Sequence, residues 1–221
     1  RHVDAVVKHL RRHLSPSFRR HKAAVKRNAA RIHVVSSGFR EYVEPVCADL
    51  GIPASQVHCN RFEWKGARVA GFDAKAAVAK PNGKAQVVRA LKLPGRIVAI
   101  GDGITDAQIR DAGAAHEFVA YCENVERDAV VARADRVARS VDELLWLYRL
   151  PGSPSFPKSR MVALLCENIH ADAAQALRDE GYRVETLSDA GALVDVNLPS
   201  SPVMGPLLHG PGVVPLGRLL I

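Results

Sequence analysis

Two aspartates follow an apolar run in the sequence GDGITD, residues 101–106. Residues 97–100 have the continuous apolar character of a buried parallel strand, and a helical pattern begins within the segment. In open α/β sheets ligands bind beyond the carboxyl ends of the strands, so Asp102 and Asp106 are predicted to line a ligand crevice. The two glycines permit a sharp turn and a close approach of the backbone to that ligand.

The GDGITD segment has two other interpretations. An ordinary strand-to-helix loop stays open when this segment is taken alone. An EF-hand calcium loop does not fit, because Ile104 and Ala107 stand where that loop requires an oxygen ligand and a glycine.

Lys84 follows the turn sequence PNG, residues 81–83, at the predicted start of a helix. This helix rises about 13 Å at about 1.5 Å per residue, and the strand from Arg96 returns about 16 Å at about 3.3 Å per residue. Lys84 and Asp102 are therefore predicted to lie at the same edge of the sheet. The helix dipole disfavours a cation at a helix start, which suggests a nearby anion, although a solvated lysine is the simpler alternative.

A second apolar run, residues 32–35, ends in Ser36, Ser37 and Gly38. We expect this sequence to place a hydroxyl and a row of free backbone N–H groups at the sheet edge, because amides at a helix start bind phosphate well. A serine that only caps the following helix is the alternative.

The order of the three segments is strand-Ser-x-Gly-Phe, helix-start lysine, then strand-Gly-Asp-Gly-x-Thr-Asp. This order resembles motifs two, three and four of the haloacid dehalogenase superfamily. Residues 35–39 (VSSGF) resemble the phosphoserine phosphatase subgroup, in which a glycine commonly stands at the position of Ser37. The resemblance spans residues 15–148 and implies an α/β fold, with a Rossmann-like parallel sheet of the haloacid dehalogenase type and a remnant helical cap.

The resemblance implies a Mg²⁺-dependent phosphomonoester hydrolase that acts on a small phosphorylated substrate such as phosphoserine, in serine biosynthesis. It implies that Ser36 and Lys84 are catalytic residues that hold the phosphoryl group, together with Ser37 and Gly38 as phosphate-binding residues. Catalysis at such a site consists mostly of positioning and of neutralising the charge on the equatorial oxygens.

The resemblance also assigns the two carboxylates of the GDGITD segment. Asp102 is implied to bind Mg²⁺, and Asp106 is implied to be a catalytic carboxylate that steadies Lys84. NAD is not expected in this chain, because the sequence has no Gly-x-Gly-x-x-Gly fingerprint.

The family's nucleophilic aspartate has no counterpart in this sequence. In the family it belongs to an Asp-x-Asp that follows an N-terminal strand, and no Asp-x-Asp occurs here. Asp4 does not replace it, because Asp4 lies in an amphipathic helix pattern. The first residue is Arg1 rather than methionine, so we expect the sequence to start inside a longer polypeptide and to be inactive as a phosphatase.

The alternation of apolar runs and helical patterns divides the chain. Residues 1–30 are expected to be the end of a helical cap, with a second helix over residues 17–29. Residues 31–150 are expected to form the phosphatase core. Within this core a β-hairpin is predicted from strands 57–62 and 67–72.

Prolines mark a linker at residues 151–160. Residues 161–190 are predicted to start a second α/β unit, which resembles the first βαβ segment of D-3-phosphoglycerate dehydrogenase and implies a fused serine-biosynthesis protein. From Gly191 the periodicity disappears, so residues 191–221 are expected to be an unstructured tail.

Composition indicates a globular chain. With 48% hydrophobic residues, 221 residues suffice for one substantial core, and the apolar stretches are shorter than the roughly 20 residues of a membrane helix. The four cysteines contain no Cys-x-x-Cys pair, which favours reduced thiols in a cytoplasm. The net charge is +8, and ten Lys or Arg fall in residues 1–31. We interpret this block as solvated helix faces rather than a nucleic-acid site.

Three functions remain open on these grounds. The first is a phosphatase fused to a dehydrogenase. The second is an NAD-dependent dehydrogenase with this phosphatase-like region as its N-terminal extension. The third is a non-catalytic regulator that binds phosphorylated ligands or nucleic acid through the basic N-terminus.

Overall fold

A computed structural model describes residues 2–166, 169–187 and 216–220. The chain divides into two compact units. The first comprises Arg1–Pro154 and Leu216–Ile221, and the second comprises Ser155–Pro215. The division falls inside the segment that its prolines mark as a linker.

The elements are numbered in chain order. Within the described ranges the strands are β1 Ile32–Phe39, β2 Val57–Asn60, β3 Phe62–Lys65, β4 Arg68–Phe72, β5 Arg96–Gly101, β6 Glu117–Tyr121, β7 Arg136–Ala138, β8 Val162–Cys166, β9 Arg183–Leu187 and β10 Leu216–Leu220. The α-helices are α1 His2–Arg12, α2 Pro16–Arg20, α3 Lys22–Asn28, α4 Arg40–Asp49, α5 Gly83–Leu91, α6 Ile104–Asp111, α7 Asp128–Val131, α8 Val141–Leu147 and α9 Ala171–Asp179. None of these helices is long and apolar enough to span a bilayer, as judged over the described part of the chain.

Of the described strands, six form one sheet in the order β2-β1-β10-β5-β6-β7. All neighbouring strands in this sheet run parallel. Successive residues of β5 face opposite sides, so Val98 and Ile100 join one buried cluster while Ile97 and Ala99 join the other. Both faces are therefore buried, and the predicted α/β fold with a parallel sheet is confirmed.

The N-terminal helices differ from the prediction. The single helix expected over residues 17–29 is wrong, because α2 ends before His21 and α3 starts after it. The backbone of His21 leaves helical geometry with φ −102° and ψ 20°. Its ring lies 3.6 Å from the carboxylate of Asp142, so the break accompanies a contact with α8.

The hairpin is shorter than predicted. Residues 57–60 form β2, which pairs in parallel with β1, and only β3 and β4 make the antiparallel hairpin, with Gly66 in its turn at φ 61°. The predicted first hairpin strand at residues 57–62 is therefore wrong. Val57 is buried in the core beneath the main sheet, which an isolated two-stranded hairpin could not provide.

β10 lies in the middle of the main sheet, although it comes from the far end of the chain. Leu220 is opposite His33 of β1 on one side and Ala99 of β5 on the other. The expectation of an unstructured tail is therefore wrong for residues 216–220. β1 and β5 would otherwise leave backbone groups unpaired inside a buried sheet, and β10 satisfies them. Residues 191–215 of the predicted tail lie outside the described residues.

The second unit contains β8, α9 and β9. β8 and β9 pair in parallel, with Val162 opposite Arg183 and Cys166 opposite Leu187. A parallel pair joined by a helix is a βαβ arrangement, so the segment has the architecture of the second α/β unit that the sequence predicts.

Candidate active site

A cavity of about 410 Å³ opens at the carboxyl ends of β1 and β5. Ser36, Lys84, Asp102 and Asp106 all line it. The rest of its wall is largely apolar and includes Val34, Val35, Val43, Ile100 and Leu144. The three segments that are separated along the chain thus meet in one cavity, at the edge of the sheet that the strand and helix lengths indicate.

Ser36 lies inside an extended segment rather than at a helix start. β1 continues to Phe39 and α4 begins at Arg40, with a register shift against β2 between Val35 and Phe39. The expected row of helix-start amides directly after Ser36 is therefore wrong. The Ser36 Oγ instead accepts a hydrogen bond from the Gly38 N–H at 3.0 Å, which leaves the hydroxyl proton to be donated elsewhere.

Ser37 and Gly38 are not among the described residues that line the cavity. The Ser37 side chain is exposed, and its carbonyl oxygen accepts from the Asn60 amide at 2.7 Å. A Cβ atom at Gly38 would lie 3.1 Å from the Ser36 Oγ, so the absence of a side chain at Gly38 keeps that hydroxyl in place.

Lys84 is the second residue of α5. A Cβ atom at Gly83 would lie 2.0 Å from the Ala77 carbonyl oxygen, so the chain needs glycine here to start the helix at this position. The Lys84 Nζ donates to the Asp106 Oδ1 at 2.6 Å, and the two side chains are only 15% and 10% exposed. Asp106 is therefore an anion that holds the Lys84 cation at this helix start.

Asp106 uses both carboxylate oxygens. While Oδ1 faces Lys84, Oδ2 accepts from the Gly103 N–H at 3.1 Å at the start of α6. A Cβ atom at Gly101 would lie 2.3 Å from the Asp106 carboxyl group, so that glycine gives the carboxylate its space. Two directed contacts fix Asp106, and through it the ammonium group of Lys84.

Asp102 is in a different environment, since its side chain is 55% exposed. The Arg127 Nη1 contacts both the Asp102 Oδ2 and the Asp102 carbonyl oxygen, each at 2.6 Å. Arg127 is absent from the residues that the sequence predicts for the site. Arg127 lies in the loop after β6, and β6 is the neighbour of β5 in the sheet. Loops at the carboxyl ends of adjacent parallel strands meet, so this position could have identified Arg127 as a site residue.

The donor set decides what kind of metal ion could bind. Within the described ranges no group of three or more His, Cys, Asp and Glu side chains could hold a metal ion. Asp102 is the lining carboxylate with an oxygen to offer, because both oxygens of Asp106 are engaged. Mg²⁺ usually keeps several waters and binds through one or two carboxylates together with substrate phosphate. The residues therefore fit a Mg²⁺ that Asp102 holds together with a phosphate, rather than one held by the protein alone.

One wall of the cavity comes from the N-terminal helices. Ser17 is fully buried, its N–H donates to the Glu123 Oε1 at 2.7 Å, and its Oγ contacts the Tyr121 hydroxyl at 2.9 Å. Burial, and then the charge of Glu123, raise the pKa of Tyr121 far above its usual range, so the phenol stays protonated. Asn124 adds a hydrogen bond to the Ser15 Oγ at 2.7 Å. These contacts attach the start of α2 to the end of β6, which a helix pattern in the sequence does not reveal.

The arrangement can bind a small anion. Lys84 supplies a fixed ammonium group, Ser36 supplies a hydroxyl donor, and Arg127 supplies a guanidinium at Asp102. The lining carboxylates among the described residues are Asp102 and Asp106, and each is paired with a cation. A cavity with this chemistry suits a phosphate group attached to a small, partly apolar body.

Comparison with known proteins also shows similarity to hydrolases of phosphorylated compounds. The family model of haloacid dehalogenase-like hydrolases matches residues 1–111. The phosphoserine phosphatase of Mus musculus is 34% identical over 137 residues, which are 60% of this chain and 60% of the relative. The chloroplastic phosphoserine phosphatase of Arabidopsis thaliana is 31% identical over 137 residues, which are 60% of this chain and 46% of the relative. The chain thus spans about half to three fifths of the length of these relatives.

Two solved structures are also similar. A phosphoserine phosphohydrolase-like protein from Francisella tularensis is 30% identical with a TM-score of 0.51, over 57% of this chain and 60% of that chain. The structure of DsGPDH of Dunaliella salina has a TM-score of 0.54 at 23% identity, over 85% of this chain and 39% of that chain. At this lower identity the likeness concerns the fold alone.

Proposed function

Since the chain belongs to the haloacid dehalogenase-like hydrolase family, we propose that its cavity is the phosphate-binding part of a Mg²⁺-dependent phosphomonoester hydrolase of the phosphoserine phosphatase kind. The observation that carries this proposal is the meeting of Ser36, Lys84 and Asp102 in one cavity. Similarity to the two phosphoserine phosphatases supports a small phosphorylated substrate of the phosphoserine type.

Lys84 is proposed to neutralise charge on the transferring phosphoryl group. Asp106 holds its ammonium group in place before any ligand arrives, so this stabilisation requires no reorganisation of the site. Ser36 is proposed to donate its hydroxyl proton to a phosphoryl oxygen, because its own lone pair already accepts from the Gly38 N–H. Asp102 would hold Mg²⁺, which when bound adds positive charge next to the phosphate oxygens.

Binding without turnover is proposed for residues 1–221. The sequence contains no Asp-x-Asp to supply the family's nucleophile, and the lining carboxylates of the described residues, Asp102 and Asp106, already pair with Arg127 and Lys84. The second unit contains a βαβ arrangement, and the residues proposed for the site all belong to the first unit. The proposed function therefore concerns the first unit.

The test measures binding and hydrolysis separately. Calorimetric titration with inorganic phosphate should show binding to residues 1–221, and Lys84→Ala should weaken it by about tenfold or more, because a partly buried charge-assisted contact is lost. Lys80→Ala removes the same charge from an exposed neighbouring position and should change the affinity less than about twofold. Equal affinities for both variants would contradict the assignment of Lys84.

Release of phosphate from phosphoserine is the second readout. Residues 1–221 should release it no faster than a control protein, with or without Mg²⁺. Magnesium-dependent turnover that Lys84→Ala abolishes would show that a nucleophile is present, and would overturn the proposal of binding alone.

A further inference from the structure

Arg127 is paired with the carboxylate of Asp102, which a metal ion at this site would need as a ligand. Its Nη1 lies 2.6 Å from the Asp102 Oδ2 and 2.6 Å from the Asp102 carbonyl oxygen. The guanidinium therefore contacts both a side-chain and a main-chain oxygen of one residue. One nitrogen makes both contacts, so the pair lacks the two parallel hydrogen bonds that strengthen a bidentate arginine–carboxylate pair.

We propose that Arg127 is a built-in counter-cation of Asp102 and that it competes with a divalent cation for this carboxylate. This inference rests on the proposed function, in which Asp102 is the metal ligand. Two cations beside one carboxylate repel each other, so each binds it more weakly than it would alone. A metal ion therefore has to displace the guanidinium or bind weakly beside it. Arg127 is thus a positioning residue that lowers the metal affinity of the site.

The exposure of the pair makes the exchange feasible. Asp102 and Arg127 are 55% and 50% exposed, whereas Lys84 and Asp106 are 15% and 10% exposed. Solvent-exposed pairs contribute little stability, so the Arg127 contact can be broken at low cost. The buried Lys84–Asp106 pair is held by further contacts and does not exchange in the same way.

The competition couples the metal to the phosphate. A divalent cation alone gains one carboxylate and must compete with the guanidinium for it, so it binds weakly. When phosphate is in the cavity, it adds oxygen ligands and negative charge for the metal, so the metal ion then displaces Arg127. Phosphate should therefore raise the metal affinity, and removing Arg127 should reduce the dependence of metal binding on phosphate.

The test uses MnCl₂ as the probe, with free Mn²⁺ counted by electron paramagnetic resonance, on the full chain of 221 residues. Without phosphate, Arg127→Ala should bind Mn²⁺ about threefold to tenfold more tightly than the unchanged chain. Arg127→Lys keeps the charge on a shorter side chain with a single nitrogen, and one nitrogen makes both contacts to Asp102, so its affinity should lie between the two.

Arg133→Ala is the matched control. Arg133 is 48% exposed and pairs with Asp111 at 3.8 Å, so this change removes the same charge from a nearby surface without touching Asp102. Its Mn²⁺ affinity should change less than about twofold. If Arg127→Ala and Arg133→Ala bind Mn²⁺ equally, the effect is one of net charge and the competition is refuted.

Asp102→Asn separates this inference from the proposed function. If Asp102→Asn binds Mn²⁺ as the unchanged chain does, Asp102 is not the metal ligand and the proposed function fails in that part, together with the competition. If Asp102→Asn weakens Mn²⁺ binding but Arg127→Ala does not strengthen it, only the role of Arg127 is refuted. The expected result is weakening by Asp102→Asn, and no tightening by Arg127→Ala in that background.

Discussion

The two aspartates of the GDGITD segment are four residues apart and have opposite environments. Asp106 is nearly buried, faces Lys84, and accepts from the Gly103 N–H with its second oxygen. Asp102 is half exposed and is paired with Arg127 at the rim of the cavity. One carboxylate is therefore fixed in advance, whereas the other can exchange its cation. Two aspartates of one motif thus differ in role because their surroundings differ: burial fixes Asp106 on its cation, and exposure lets Asp102 change its partner.

The largest effect should come from the backbone that fixes the buried pair. Gly83→Ala would place a Cβ atom 2.0 Å from the Ala77 carbonyl oxygen and 2.9 Å from the Val78 Cα, so α5 or the segment before it must move. We expect the free energy of unfolding to fall by about 3 kcal/mol, and phosphate binding to weaken because Lys84 moves with the helix start. Urea unfolding measures the first effect.

Gly71→Ala is the control for this change. Its Cβ atom would meet only the Glu63 Oε2 at 3.5 Å, an ordinary contact in the hairpin. The expected change in the free energy of unfolding is within about 0.5 kcal/mol. Equal losses for Gly83→Ala and Gly71→Ala would show that the start of α5 tolerates displacement.

The next effect tests the contrast between the two aspartates directly. Asp106→Asn removes the charge that faces a nearly buried ammonium group, and it should lower the free energy of unfolding by about 2 kcal/mol. Asp102→Asn breaks a half-exposed pair and should lower it by less than about 0.5 kcal/mol. Urea unfolding of both variants gives the comparison, and equal losses would mean that burial does not distinguish the two pairs.

The buried half of this site, which is the Lys84–Asp106 pair, is largely predictable from the sequence. The apolar run before Asp102 predicts β5, and the helix and strand lengths place Lys84 at the same edge of the sheet. The unfavourable position of a lysine at a helix start indicates an anion, and Asp106 is placed to be that anion. These features depend on local periodicity and on strand and helix lengths, which the sequence contains.

The exposed half, which is the Asp102–Arg127 pair, is harder to predict, because it depends on a contact between distant segments. Arg127 reaches Asp102 from a loop 25 residues away, and no periodicity marks which arginine of the chain does so. β10 joins the middle of the sheet from the far end of the chain, since backbone pairing is satisfied by any strand that fits. After Ser36 the chain stays extended until Phe39 pairs with Asn60 of β2, whereas the local sequence suggests a helix start.

The smallest effect concerns phosphate binding by Asp102→Asn in the absence of a divalent cation. The change removes a negative charge that repels an incoming phosphate, and it loosens the Arg127 guanidinium, whose charge then attracts the anion more effectively. Lys84 stays in place, because its partner is Asp106. Phosphate should therefore bind at least as tightly as to the unchanged chain, with a gain of up to about fivefold, since the pair is exposed and partly screened. Calorimetric titration with phosphate at low and high salt measures this gain, which should shrink at high salt. A clear loss of phosphate affinity would mean that Asp102 contributes to the anion site itself, and the contrast between a fixed and an exchangeable aspartate would no longer hold.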